Sequence, residues 1–298
     1  MALGSADSFL ARTEQTVNNR WGFLAVLTMT GVTALTGCGL VGAAAERAAA
    51  PVPAEDPRQA LARSTDAIAD GNYTFTVSDD GDTQRGTVHL PQSALLELDS
   101  PDEDPRKMVF LAVGKDRYLK MQVDLGADMP SAAELNAMAE QGGEAGKAAK
   151  QLKELRTMFD GRHWLHVDPT KLDDPSVFAD VDEPDVSGAG YLLSKATTAV
   201  RAGATITGTL DLAAQKTDEL PWDDGRVKAT GAALRKLPYT ATLDAQGRLA
   251  ELVLDMPAAG AYKAYRYVTK VSAYGTTKVQ AKPKAVEMST AMYDTFNE

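Results

Sequence analysis

The chain has one cysteine, Cys38, and the residues before it form a pattern typical of covalent lipid attachment. Leu35, Thr36 and Gly37 precede the thiol, and a leucine followed by two small residues matches the bacterial lipobox. In a lipobox the thiol is diacylated and the chain is then cut on its N-terminal side. Stable membrane anchoring generally requires two hydrophobic chains. We therefore predict a diacylglycerol anchor on Cys38.

Residues 1–37 have the layout of an export signal. An uncharged apolar run covers residues 21–35 and follows Arg20. This run is short for a membrane span and is diluted by Thr and Gly. We expect residues 1–37 to be removed as a lipoprotein signal peptide, which places the mature chain on the extracytoplasmic face of the cell membrane. The alternative is an uncleaved helix with Cys38 buried behind it as a free thiol.

Residues 38–56 are rich in Ala and Pro and predict a flexible tether after the lipidated cysteine. Overlapping the start of this segment, Gly37, Gly39 and Gly42 reproduce the glycine spacing of dinucleotide-binding loops. That fingerprint needs a helix packed in a βαβ unit directly afterwards, and the Ala/Pro segment stands there instead. We therefore expect no dinucleotide cofactor, and a single folded domain over residues 57–298.

The other residues that could carry chemistry do not form a familiar catalytic pattern. His89, His163 and His166 are the three histidines, and none lies in an H-E-x-x-H motif. No serine lies in G-x-S-x-G or S-x-x-K. The acidic segment 180–185 supplies oxygen ligands, but its proline departs from the order of a calcium-binding loop. We predict no catalytic residues, no metal site and no cofactor.

The charge balance narrows the range of partners. Lys and Arg number 31 against 41 Asp and Glu, and the formal net charge is -10. An acidic chain is poorly suited to nucleic acids, because their phosphates need cationic partners. An anionic membrane surface would also repel it. We expect no nucleic-acid partner, and membrane contact through the lipid on Cys38.

The hydrophobic periodicity of the first half predicts one helix, a run of strands and then two more helices. The first helix is expected over residues 56–69. Residues 131–159 have helical periodicity, begin with a capping box of Ser131 and Glu134, and are interrupted by glycines, so two helices are expected there. Strict alternation predicts an antiparallel meander of strands over residues 73–77, 84–90, 93–99, 107–113 and 117–123.

The second half of the chain also alternates between segments of helical periodicity and segments of strand periodicity. Helices are expected over residues 191–202 and 224–237. Strands are expected over residues 163–167, 205–212, 239–243, 249–256 and 262–274. About ten strands with a helical insertion in each half predict an α+β fold. We expect a curved antiparallel sheet, a half-barrel, with helices covering its concave face.

Two stretches of the second half resemble a known family. Residues 237–249 read LPYTATLDAQGRL and residues 274–279 read YGTTKV. With these stretches and the order of its elements, the chain is similar, over roughly residues 73–283, to the actinobacterial LppX and LprG lipoproteins, which are related in fold to the periplasmic carrier LolA. The resemblance implies an incomplete barrel around an apolar cavity that binds acyl chains of lipids or lipoglycans. It implies no catalytic residues.

Strand alternation and helical spacing indicate which side chains would line such a cavity. Each of these side chains is equally suited to an ordinary core. They are Phe75, Val77, Leu96, Leu98, Leu111, Leu119, Met121, Met158 and Trp164.

The leading hypothesis is a membrane-anchored lipoprotein that carries or presents lipids or lipoglycans in the cell envelope, with a membrane transporter as one conceivable partner. The alternative is an extracytoplasmic interaction or sensor module with a filled core, which acts through a protein partner. The flexible tether and the acidic loop over residues 173–185 favour that alternative. A hydrolase whose catalytic groups come from distant parts of the chain ranks third.

Overall fold

The computed structural model describes residues 55–101, 106–124, 129–173 and 183–297. The predicted signal peptide, Cys38 and nearly all of the tether lie outside the described residues, and so does most of the acidic loop. The described part is an α+β fold built on one large sheet.

Twelve strands form this sheet. They are β1 (Asn72–Asp79), β2 (Asp82–His89), β3 (Ser93–Ser100), β4 (Arg106–Val113), β5 (Asp116–Val123), β6 (Trp164–Val167), β7 (Ala196–Ala202), β8 (Thr205–Leu210), β9 (Leu237–Leu243), β10 (Leu249–Met256), β11 (Tyr265–Ser272) and β12 (Ala285–Glu287). Their order is β12-β6-β5-β4-β3-β2-β1-β11-β10-β9-β8-β7. Neighbours pair antiparallel, except that β12 runs parallel to β6. The two strands beyond the expected ten are β7 and β12, at the two open edges.

Seven α-helices accompany the sheet in the described residues, and several of them pack apolar side chains against its core face. They are α1 (Pro57–Ser64), α2 (Asp66–Ala69), α3 (Ala132–Gln141), α4 (Gly143–Met158), α5 (Ala189–Ser194), α6 (Asp224–Thr230) and α7 (Thr290–Phe296). Leu61, Leu192 and Met292 come from three of these helices and share one core cluster with strand residues such as Leu119. The predicted fold class, a curved sheet with helices on one face, is confirmed.

Local sequence signals explain where several helices begin. The Asp56 side chain accepts hydrogen bonds from the backbone N–H of Arg58 and Gln59, which starts α1. The predicted capping box is present, because the Ser131 hydroxyl accepts from the Glu134 N–H while the Glu134 carboxylate accepts from the Ser131 N–H. At Gly142 the backbone has a φ of +66°, and there α3 ends and α4 begins. The expected division into two helices is confirmed.

The helix predicted over residues 191–202 is wrong beyond α5. The residues that follow α5 form edge strand β7, which pairs antiparallel with β8. Thr198 and Val200 are β-branched, and such residues fit a strand better than a helix. Gly203, interpreted as a helix end, has a φ of +63° in the turn between β7 and β8. A glycine at a positive φ ends a helix or turns a hairpin equally well.

The helix predicted over residues 224–237 is shorter than expected. Its α-helical part ends with α6, and Gly231–Lys236 continue as a 3-10 helix. Pro238, expected to close the helix from outside, lies within β9 opposite Thr209.

Two aromatic rings cross the core face of the sheet above glycines. A Cβ atom on Gly86 would lie 2.1 Å from a ring carbon of Phe75, its partner on β1. In the other half of the sheet, Tyr239 lies opposite Gly208 and donates its hydroxyl to the Thr198 carbonyl, 3.0 Å away. In both places the missing side chain makes room for a ring that spans two neighbouring strands.

Arg226 ties three segments together at one end of the sheet. Its side chain is buried, and its guanidinium centre lies 4.3 Å from the ring centroid of Tyr265 and 5.1 Å from that of Tyr262. Nη2 donates to the Lys263 carbonyl at 2.9 Å, and Nη1 lies 3.4 Å from a carboxylate oxygen of Asp80. Helix α6, the β10–β11 connection and the β1–β2 turn are therefore joined through one cation.

After β11 the chain runs along the ends of several strands before it forms β12. We call residues 276–284 the C-terminal strap. Thr277 donates its N–H and hydroxyl to the Asn72 side chain, at 3.1 and 2.7 Å, and the Gln280 N–H donates to the Ser93 hydroxyl at 2.9 Å. Strand β12 and helix α7 follow, neither of which the sequence analysis predicted.

We expect Gly86→Ala to destabilise the fold by about 1–3 kcal/mol, because the new methyl group would overlap the Phe75 ring. Gly146→Ala is the matched control, since the nearest atom to its Cβ would be a carbonyl oxygen 3.5 Å away and the position is inside helix α4. The control should be neutral or stabilising by up to about 1 kcal/mol. Urea unfolding midpoints measure both, and equal midpoints for the two variants would contradict the ring-over-glycine packing.

We expect Arg226→Ala to lower the free energy of unfolding by about 2–3 kcal/mol, because the Lys263 carbonyl and two tyrosine rings lose their buried partner. Arg266→Ala is the control: its side chain is 68% exposed and lies 3.4 Å from Asp255 at the surface. Such a pair contributes less than about 1 kcal/mol. Chemical denaturation measures the free energy of unfolding of both variants. Values for Arg226→Ala and Arg266→Ala that agree within the error of the extrapolation would contradict the role of Arg226.

Candidate functional site

An open recess of about 280 Å³ lies between helix α4 and the edge of the sheet formed by β6 and β12. Helix α4 forms one side of the recess, β6 forms its floor, and β12 forms the other side. The residues around the recess are Lys150, Lys153, Glu154, Thr157, Met158, His163, Leu165 and Val286.

The floor of the recess is apolar. Leu165 is fully buried, Met158 is 8% exposed, and Val286 is 49% exposed. Leu165 and Val286 are register partners on β6 and β12, so they project from the same face of the sheet. Met158 comes from the last turn of α4 and packs into the main core. Val286 is thus an apolar side chain that is half-exposed beside a buried leucine. Covering it with another apolar group is favourable, because apolar area is then removed from water.

The rim of the recess is polar and belongs mainly to α4. Lys150, Lys153 or Glu154, and Thr157 recur at three- to four-residue spacing, which puts them on one side of the helix. The Lys150 ammonium lies 4.0 Å from the Glu154 carboxylate, a loose surface pair. The Thr157 hydroxyl donates to the Lys153 carbonyl at 2.9 Å, so it is already satisfied within the helix.

His163 completes the rim and is held by its neighbour Asp160. Its Nδ1 donates to the Asp160 carboxylate, with distances of 3.0 and 3.1 Å to the two oxygens. Burial raises the pKa of Asp160, but hydrogen bonds from the Arg162 N–H and from His163 outweigh it and lower the pKa overall. Asp160 is therefore a carboxylate at neutral pH, and it orients the imidazole so that Nε2 is the ring nitrogen left for other contacts.

The other two histidines contact the C-terminal part of the chain. His89 donates from Nδ1 to the Thr277 carbonyl at 3.0 Å. His166 lies with Nδ1 2.9 Å from Glu287 and Nε2 3.7 Å from Asp116. Among the residues that the structure describes, no group of three or more His, Cys, Asp or Glu side chains could hold a metal ion. The histidines do not converge on one centre.

Asp116 also binds the C-terminal strap through an ion pair with Lys282. The hydrogen bond from Lys282 lowers the pKa of Asp116, with a smaller contribution from His166. The strap, β12 and the recess wall are thus attached to β5 and β6 by charged groups at the sheet edge.

Most of the residues predicted to line a cavity lie on the core face of the sheet. Five of them are buried to 6% exposure or less and belong to the main core cluster; these are Phe75, Val77, Leu96, Leu119 and Met121. Leu98 is half-buried against the same cluster. They share this cluster with residues of α1, α5 and α7, which is the packing expected of a core.

Leu111 and Trp164 were assigned to the wrong face. Leu111 is the register partner of Tyr118, which pairs with His166, whereas the neighbouring Phe110 pairs with the core residue Leu119. Alternation therefore puts Leu111 and Trp164 on the outer face, where the Lys120 ammonium lies 4.9 Å from the Trp164 ring centroid. The assignment failed because both faces of this part of the sheet carry apolar residues, so periodicity alone did not distinguish them.

Of the predicted cavity residues, Met158 is the one that borders the recess. Sequence reasoning missed Lys150, Lys153, Leu165 and Val286. The sequence could have indicated the two lysines, because helical spacing places them beside Met158 on the helix. Leu165 follows from alternation in the predicted strand 163–167. Nothing in the sequence pattern indicates Val286, because a three-residue parallel strand has no periodicity of its own.

No helix of the described ranges is both long enough and apolar enough to cross a membrane. Comparison of the chain with models of known protein families, and with curated proteins, found no match. The similarity to the LppX and LprG lipoproteins therefore stays a prediction from residues 237–249 and 274–279, and the α+β architecture is what the structure establishes.

Proposed function

We propose that this chain is a membrane-anchored, extracytoplasmic lipoprotein that binds lipid acyl chains and carries or presents lipids or lipoglycans in the cell envelope. The observation that carries the proposal is the recess between α4 and the β6–β12 edge, with its apolar floor of Met158, Leu165 and Val286. The lipobox at Cys38 supports the membrane location, since it predicts two acyl chains on the mature chain.

The size of the recess suits a single acyl chain better than a whole lipid. Its volume of about 280 Å³ is near the lower end of small-molecule pockets. Each methylene group that leaves water for the floor contributes about 0.8 kcal/mol. Micromolar binding corresponds to about 8 kcal/mol, so roughly ten methylene groups of one acyl chain would have to be covered by the recess, while the rest of the lipid stays outside.

Helix α4 provides a wall that is fastened mainly at its end. Met158 and Phe159 belong to the main core cluster, with Leu155 packed against it. Leu135 and Ala149 are fully buried but lie outside that cluster, in the pair formed by α3 and α4. The φ angles of +66° at Gly142 and +57° at Gly143 mark the junction of the two helices. Helix α4 therefore joins the main core chiefly through its last turn.

The interaction or sensor module is the second candidate, and one observation favours it. Phe75, Val77 and Leu119, expected to line a cavity on the concave face, are packed in the core cluster instead. A protein with such a core can act entirely through its surface. The two functions differ in a simple respect, because only the first requires the purified chain to retain lipid.

We expect Val286→Trp to reduce lipid binding by tenfold or more, because an indole would fill the recess. Val200→Trp is the matched control, since Val200 is 66% exposed on the opposite edge strand. The protein is the mature chain from residue 38 with Cys38→Ser, which keeps the complete described domain and removes the chain's own lipid. Native mass spectrometry after mixing with membrane lipids measures the bound fraction. Equal losses in both variants, or no lipid on the parent chain, would refute the recess as the binding site.

Lipidation is tested separately. We expect the full chain to incorporate labelled palmitate in cells and to sediment with membranes, and Cys38→Ser to lose both properties, because the thiol is the acceptor. Thr36→Ala is the control, since it keeps a small residue before the thiol and should retain the label. Label that persists in Cys38→Ser would contradict the anchor.

A further inference from the structure

Cationic side chains are concentrated on helix α4, although the whole chain has a net charge of -10. The helix carries Lys147, Lys150, Lys153 and Arg156 against Glu144 and Glu154. Two of the four cations have partners away from the recess. Lys147 pairs with Glu144 at 2.9 Å, and Arg156 donates to the Pro130 carbonyl at 3.2 Å. The remaining two, Lys150 and Lys153, border the recess.

These two lysines have little to neutralise them. The Lys153 ammonium has no ion pair or hydrogen bond to any residue within the described ranges, and its side chain is half-buried beside the apolar floor. Lys150 has only the 4.0 Å contact with Glu154, at the limit of an ion pair. Nε2 of His163 also makes no hydrogen bond in the described part of the chain, because Nδ1 is the nitrogen bound to Asp160.

We propose that the lipid bound in the recess carries an anionic, phosphate-containing headgroup, held between Lys150 and Lys153. This inference rests on the proposed function. The acyl chain lies on Met158, Leu165 and Val286, and the phosphate lies at the α4 rim, where the flexible lysine stems let the ammonium groups reach it.

The charge at the rim matches one phosphate diester. Lys150 and Lys153 contribute two positive charges and Glu154 one negative charge, so these three lining side chains sum to one positive charge, while the Asp160 carboxylate lies against His163 outside the lining. A phosphate diester carries one negative charge and offers acceptors to both ammonium groups. A zwitterionic headgroup of the same lipid brings its own cation to a rim that already has an excess of positive charge, and like charges repel.

The test uses native mass spectrometry of the mature Cys38→Ser chain with phosphatidylglycerol and phosphatidylcholine of identical acyl chains. We expect the anionic lipid to bind at least tenfold more tightly. Lys150→Gln/Lys153→Gln should reduce this preference to less than threefold, because the anionic lipid loses more binding than phosphatidylcholine, whose own choline cation is no longer repelled by the lysines. Lys228→Gln/Lys270→Gln is the control with the same change in charge, at exposed lysines paired elsewhere with Asp224 and Glu251. It should keep the full preference.

The outcomes separate the two proposals. Equal binding of both lipids by the parent chain overturns the headgroup inference and leaves the proposed function standing, whereas no binding of either lipid overturns the proposed function. A preference that the control pair abolishes as strongly as the recess pair means that net charge or a membrane surface is responsible, which also overturns the inference. The inference is also overturned if inorganic phosphate binds in a way that depends on Lys150 and Lys153 while no acyl chain binds.

Discussion

Strand β1 pairs with β11 near the centre of the sheet, and this pairing joins parts of the chain that are far apart in sequence. Thr74 and Ser272 are register partners although 198 positions separate them. On one side of this contact lie β2 to β6, paired mostly with their sequence neighbours, and on the other side lie β10 to β7. Neither meander has a complete core alone, because the cluster that covers the concave face takes residues from both. Closing so long a loop is costly in entropy, and folding should therefore be slow compared with that of a helical protein.

The position of β11 determines the path of everything after it. A chain that leaves the middle of the sheet must cross the ends of β1 to β5 to reach the free edge beyond β6. The C-terminal strap makes this crossing, with Asn72, Ser93 and Asp116 as successive points of attachment. Strand β12 then adds to β6 in the parallel direction, because the strap has carried the chain to the matching end. Val286 reaches the recess only as a result of this path.

Apolar side chains of the sheet are fully packed in the core but remain partly exposed at the recess. On the concave face, rings and aliphatic side chains from two meanders and several helices fill the space, helped by glycines at Gly86 and Gly208 that admit Phe75 and Tyr239. At the β6–β12 edge no other strand of the described ranges pairs with β12, and α4 is attached there mainly through its last turn. The edge therefore keeps an apolar floor that is partly open to solvent. Lysines at helical spacing turn that floor into a surface suited to an amphipathic ligand.

Local patterns alone decided a large part of this structure. Alternation predicted ten of the twelve strands, capping residues placed the start of α1 and α3, and the glycines between α3 and α4 predicted two helices. The lipobox pattern at Cys38 is likewise read from neighbouring residues alone, and the lipid anchor that it predicts stays a prediction. Only the tertiary structure decided that residues 196–202 form a strand, that Leu111 and Trp164 lie on the outer face, and that Val286 meets Leu165. The physical reason is that periodicity reports which residues share a face, whereas the identity of that face and of its neighbours depends on contacts between distant parts of the chain.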